Sequence, residues 1–302
     1  MARRRRALTI AVMCFAALIG LNAPGAAADS AATPPPRTNS SNETVYLVKG
    51  YNPIAISQGV NCESRWGRLI EAMQGWGWKK EQFVQVGFYT ADTLCNINLA
   101  PEDGDRDLSL KELGRRLAWD IYRNHSSKGE SVDLVGHSMG GLIVRAAVLG
   151  VTYHDPEENW PPFLYVEDAV TLGTPHYGTG KDCDSIFGAD LQCRQMLPGS
   201  QFMTWLHSTQ VPQPTETDWT FIGSNADRTV SYNSATPTTD GAQHLVRYHI
   251  SEGIGHSALR VLAKGSKRLY YRNYGSSRWT TLANGAAPVR ATSNALYWAT
   301  KW

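Results

Sequence analysis

Ser138 stands in the pentapeptide Gly136-His137-Ser138-Met139-Gly140. Residues 131–135 before it form a short apolar run that reads as a buried strand, and residues 141–149 after it have the composition of a packed helix. A serine on so sharp a strand-to-helix turn is held in strained dihedrals with its hydroxyl exposed. Glycines two residues either side let neighbouring backbone pass without a Cβ clash. The chemistry this suits is nucleophilic attack, but a serine alone is a poor nucleophile near neutral pH. It needs a histidine to take its proton and a carboxylate to fix that histidine's tautomer.

His256 is the candidate base. It lies in Gly253-Ile254-Gly255-His256-Ser257, just past a strand signal, where glycines allow a tight loop to present the ring. Its plainer reading is a cap on a helix starting near Ser257. His176, His207, His244 and His249 are weaker, the last because it reads as lying inside a strand. Asp227, in Gly223-Ser224-Asn225-Ala226-Asp227-Arg228-Thr229-Val230, is the candidate acid, 29 residues before His256 with one strand between. Its plainer reading is a turn aspartate bonding its own backbone. Asp240, in an Asp-Gly turn, is the reserve, and Asp168 would bring the acid from an earlier strand.

Acyl transfer also builds an oxyanion that fixed N–H groups must meet. Met139 N–H follows the nucleophile at the start of a helix, where the dipole favours negative charge. The second donor is expected from Lys49-Gly50-Tyr51-Asn52-Pro53. Tyr51 is preferred, because Pro53 has no N–H and Asn52 is pushed toward extended backbone by the proline after it.

These residues need elements to hold them, and strand and helix signals alternate along the chain. Strands are expected at residues 45–48, 83–89, 131–135, 166–172, 219–223 and 245–250, with helices near 65–74, at 110–125 and after the elbow. Such alternation predicts a mostly parallel sheet covered on both faces, and functional loops gather at the carboxyl ends of its strands. Two long segments, 152–165 and 177–218, have the length of lids or binding walls. They carry Trp160, Phe163, Ile186, Phe187, Phe202, Met203, Trp205 and Leu206, at least half of which are expected to be core. Asp182, Asp184 and Asp190 read as a solvated acidic loop, so no metal is assigned.

Residues 1–28 read as a signal peptide: four arginines, an apolar stretch and Ala26-Ala27-Ala28 before Asp29. Cleavage there leaves 274 residues and takes the formal net charge from +2 to −2, so charge gives no argument for nucleic acid. Residues 29–42, with three consecutive prolines, read as a flexible leader, and 43–302 as one catalytic domain. Cys62, Cys95, Cys183 and Cys193 remain after cleavage. In an exported chain they suggest two disulfides, Cys62–Cys95 and Cys183–Cys193 being the sequence-local choice among three connectivities.

The motifs resemble those of secreted bacterial triacylglycerol lipases and esterases of the α/β-hydrolase superfamily. The resemblance rests on Val135-Gly136-His137-Ser138-Met139-Gly140-Gly141, Thr171-Leu172-Gly173-Thr174-Pro175-His176 and Met196-Leu197-Pro198-Gly199-Ser200. It extends to Ala226-Asp227 followed by Val230, and to Gly255-His256-Ser257. It covers most of residues 45–262. It implies an α/β-hydrolase fold, a Ser138–Asp227–His256 triad, an oxyanion hole from the Tyr51 and Met139 amides, and carboxylic-ester hydrolysis without a cofactor. That family often has His-Gly after the first strand, where this chain has Lys49-Gly50, and residues 266–302 match no motif of it.

The expected partner is a small-molecule or lipid ester, met by an extracellular monomer that contacts a lipid–water interface only transiently. A polyester depolymerase or short-chain esterase would use the same triad with a more open cleft. A non-catalytic relic that binds lipid or polymer is the reading of another class, and the intact Ser, Asp, His order argues against it.

Overall fold

The computed structural model describes residues 35–38, 40–52, 59–100, 108–153, 158–180, 190–212, 217–297 and 301–302, all within the unit Ala31–Trp302. The expected signal peptide lies outside the described residues. Among them nine strands form one sheet: β1 (Thr44–Val48), β2 (Phe83–Gly87), β3 (Ile97–Asn98), β4 (Val132–His137), β5 (Val166–Leu172), β6 (Asp218–Ser224), β7 (His244–Tyr248), β8 (Lys267–Asn273) and β9 (Thr280–Gly285). Their spatial order is β3-β2-β1-β4-β5-β6-β7-β8-β9. The first seven run parallel, and β8 and β9 add antiparallel to the β7 edge.

The chain winds outward from β1 to β3, then returns to place β4 on the other side of β1. Loops leaving the carboxyl ends of β1 and β4 therefore diverge, which opens a crevice between them. Residues 49–52 and the Ser138 turn are the two loops at that point.

Strands β1, β2 and β4 to β7 are buried at nearly every position because both their faces are covered. Tyr46, Val48, Leu134 and Phe221 point to one face, against α2 (Leu110–Asn124) and α3 (Met139–Tyr153). Val45, Leu47, Val135 and Ile222 point to the other, against α1 (Cys62–Gln74) and α7 (Pro288–Ala295). α2 buries Leu110, Leu113, Leu117 and Ile121 at helical spacing, each worth about 1.5–3 kcal/mol before side-chain ordering is charged against it. Its first turn is closed by the Ser109 hydroxyl, which accepts from Glu112 N–H.

Three short helices complete the set: α4 (Leu191–Gln195), α5 (Gln201–Leu206) and α6 (Tyr232–Ala235). α5 places Phe202, Met203 and Leu206 in the core, with Trp205 only partly buried. Trp160 is buried too, whereas Ile186 and Phe187 fall outside the described residues. Cys62 and Cys95 form a disulfide. Cys193 is also disulfide-bonded, and Cys183 lies outside the described residues. No helix among the described residues is long and apolar enough to cross a membrane.

Candidate active site

Ser138 occupies the turn between β4 and α3 with φ at 56°, a left-handed conformation rare for a residue with a side chain. Its N–H is held by Leu172 O at 2.8 Å, the last residue of β5, which fixes the turn to the sheet. A Cβ on Gly140 would lie 2.1 Å from Val48 O, so only glycine lets α3 start this close to β1. A strained serine backbone persists only where its surroundings over-determine it.

Asp227 follows β6 in a turn, and its carboxylate bonds both its own turn and His256. Its Oδ1 accepts the N–H groups of Thr229 and Val230 at 2.7 and 3.1 Å, and its Oδ2 meets His256 Nδ1 at 2.7 Å. The turn bonds aim the carboxylate, and the side chain is fully buried. His256 itself opens a short 3-10 helix, His256–Arg260, one residue earlier than Ser257. Gly173, at φ 57°, packs on the pair: a Cβ there would sit 3.1 Å from His256 Nδ1 and 3.2 Å from Asp227 Oδ2. This is the glycine of Leu172-Gly173-Thr174.

Ser138 and His256 line one cavity of about 90 Å³, together with Gly50, Tyr51 and His137. His137 Nε2 lies 3.1 Å from His256 O, and the two rings are 4.7 Å apart. Burial, and then the charges of His256, Arg260 and Arg65, hold the His137 imidazole well below its usual pKa, so it stays neutral. A larger groove of about 510 Å³, lined by Asn225, Thr229, Ile250, Gly253 and His256, flanks the other side of the histidine.

The loop expected to supply the second oxyanion donor abuts Ser138, since a Cβ on Gly50 would be 2.8 Å from Ser138 Cβ. Lys49 replaces the resemblance's histidine, and its support is an ion pair: Lys49 Nζ lies 2.9 Å from Asp92 Oδ2, both side chains being buried. Asp92 also accepts Val60, Phe88 and Tyr89 N–H groups. Tyr51 Oη donates to Asp190, the N-cap of α4, and Asn52 N–H reaches Tyr89 Oη at 3.4 Å. Asp92 carried no motif, and only the buried charge of Lys49 asks for a carboxylate there. Met139 begins α3, where the first N–H groups have no intrahelical acceptor.

Three sequence alternatives are excluded by position. Asp240 pairs with Arg145 at 2.6 Å, in a buried network with His176, and not with His256. Asp168 lies near the amino end of β5, at the opposite end of the strands from Ser138. His249 does not lie inside β7 but caps the turn beyond it, accepting from Ser251 N–H. Asp190 is engaged as a cap and by Tyr51, while Asp182 and Asp184 lie outside the described residues. Among the described residues no three His, Cys, Asp or Glu side chains gather as metal ligands.

Residues 112–189 match the family described as a PGAP1-like alpha/beta domain, a stretch that includes Ser138 but neither Asp227 nor His256. No curated protein matches the sequence. Among solved structures, Bacillus licheniformis lipase BlEst2 is similar at 18% identity over 68% of this chain and 82% of that one, TM-score 0.40. Aspergillus fumigatus lipase B aligns at 15% identity over 73% of this chain but only 52% of its own length, TM-score 0.45. Paleococcus ferrophilus monoacylglycerol lipase aligns at 14% identity over 71% and 86%, TM-score 0.42. Similarity this distant says nothing about substrate. The parallel sheet with its crevice between β1 and β4, the strained elbow and the matched domain give the chain an α/β-hydrolase fold.

Proposed function

We propose that this chain is an exported serine carboxylic-ester hydrolase of the lipase and esterase type. The reading is carried by the Asp227–His256 pair, 2.7 Å apart, on a cavity shared with a serine held at φ 56°. Ser138 attacks the ester carbonyl as His256 Nε2 takes its proton. The oxyanion is met by the Met139 and Tyr51 amides. His256 then returns the proton to the leaving alcohol, and water repeats the cycle on the acyl-enzyme. Asp227, aimed by its turn bonds, keeps the Nδ1 proton in place throughout. The substrate is a small-molecule or lipid ester, and no cofactor enters any step. The basic, apolar, small-residue N-terminal stretch and the Cys62–Cys95 disulfide support export.

Ser138→Ala should lower ester turnover by roughly 10⁴–10⁶-fold and abolish labelling by a serine-directed phosphonate. Labelling that survives in the folded variant removes Ser138 from the mechanism. A wild-type protein that is folded yet inert on every ester of a chain-length series, on emulsified triglyceride and on polyester film would leave the non-catalytic binding reading instead.

A further inference from the structure

The cavity between Ser138 and His256 has a charge character that acyl transfer does not require. Its described lining includes Lys49, Arg65, Trp66, His137 and Arg260, and no carboxylate. Lys49 is neutralised by Asp92. Arg65 and Arg260 form no ion pair among the described residues. Arg260 is only 9% exposed, and of its five N–H donors one is spent on the Arg65 carbonyl. Burial, then the like charges of Arg65 and Arg68, pull its pKa down to about 10, which leaves it charged near neutrality. Trp66 is fully buried in the same lining, and its indole N–H, a donor that cannot accept, has no partner.

A buried guanidinium beside a like charge is costly unless an anion compensates it. Two arginines lining one small space are complementary to oxyanions, which guanidinium groups bind through charge-assisted hydrogen bonds. The space, about 90 Å³, is several times what one water needs, so it takes a group of a few heavy atoms rather than an acyl chain.

We propose that this cavity is an anion subsite of the enzyme: the ester carries a phosphate or carboxylate on its alcohol portion, gripped by Arg65 and Arg260 while Ser138 attacks the neighbouring carbonyl. The subsite rests on the reading of Ser138 as nucleophile. It fixes the scissile ester relative to the serine and so lowers the cost of orientation.

The test compares soluble esters matched in acyl chain and differing in charge. One arm pairs dihexanoyl-glycerol with dihexanoyl-glycerol 3-phosphate, and the other pairs the hexanoyl esters of 4-hydroxybenzamide and 4-hydroxybenzoate. Wild-type kcat/KM should favour at least one anionic member by 10-fold or more, and the arm that responds identifies the anion. Arg65→Gln should cut that preference by 10-fold or more, mainly through KM, with Arg260→Lys cutting it less because the charge remains. Arg65 is half-buried and holds Arg260 only through its own carbonyl, so this variant retains the fold.

Titration of Ser138→Ala with inorganic phosphate supplies a readout independent of turnover: binding expected, and weakened 10-fold or more by adding Arg65→Gln. Phosphate binding without ester hydrolysis would keep the subsite and discard the nucleophile. Ester hydrolysis with equal rates on both members of each pair, and no phosphate binding, would discard the subsite alone.

Discussion

A lysine buried beside the loop proposed to supply an oxyanion donor has to be neutralised, and Lys49 is held on two sides. Its ammonium sits 2.9 Å from Asp92 Oδ2 and over the faces of Phe88 and Tyr89, at 3.5 and 3.9 Å from the ring centroids. Removing one partner of a buried pair strands the other, which costs more than the pair itself contributes. Lys49→Met should therefore destabilise the fold by about 3–5 kcal/mol, read as a lower urea midpoint with unchanged slope. A loss under about 1 kcal/mol would show that three backbone N–H groups satisfy Asp92 without the cation. Because Lys49 precedes Gly50 and Tyr51, the same variant should lower kcat more than it raises KM. The triad candidates were legible in sequence because proton transfer demands their types and order. Asp92 was not, because a carboxylate 43 residues from its lysine has no local signature. Arg65 and Arg260 were also missed, since single arginines in helical segments read as solvated surface.

Among the elements, the parallel strands were legible because burial on both faces makes them apolar runs, and β5 matches its expected bounds of 166–172. β8 and β9 were missed. They extend the sheet edge with exposed Arg268 and half-buried Lys267 and Arg272 side by side with tyrosines, so no clean alternation marks them. α1 starts at Cys62, three residues before the expected helix, because Asn61 caps Ser64 N–H. That start is tied to the loop after β2 by the Cys62–Cys95 bridge, by Cys62 N–H on Thr93 O, and by Thr93 N–H on Val60 O. α1 carries Arg65 and Trp66, so the bridge holds one wall of the site against the loop that carries Asp92. Replacing both cysteines by alanine should cost about 3–4 kcal/mol, the chain-entropy value for a loop of this length. Thermal unfolding with and without reductant checks it: the oxidised variant should melt below the oxidised wild type, and since both keep the Cys193 disulfide, reductant should lower the wild type further than the variant.

At the scale of the molecule, the arginines around the candidate site and a group of buried carboxylates lie at opposite ends of the strands. The carboxyl ends hold Lys49, Arg65 and Arg260, whereas the amino ends of β4, β5 and β6 hold Asp133, Asp168 and Asp218. Arg37, from the proline-rich leader, reaches this acidic end, donating to Asp168 and to Glu167 O, and Thr38 N–H donates to Glu167 Oε1. Arg37 does not offset the burial of these carboxylates. Burial, then the charges of Asp168, Glu43 and Glu167, raises Asp133 well above the carboxylate range. Burial likewise drives Asp168 up to about 8 against the pull of Arg37. His244, 3.1 Å from Asp218, is the other titratable neighbour. A carboxyl whose folded pKa is raised keeps its proton in the native state after the unfolded chain has lost it. Its stabilising contribution is therefore complete below pH 4 and is lost as pH rises toward 8, by up to ~1.4 kcal/mol per pH unit per proton. Asp133→Asn keeps the Oδ1 acceptor that Asp168 N–H uses at 3.2 Å while deleting the titration. The melting temperature of Asp133→Asn relative to wild type should accordingly climb steadily between pH 4.5 and 8. An offset that stays constant over that interval would mean that Asp133 is ionised in the native protein, with Arg37 neutralising the acidic end far more completely than burial opposes it.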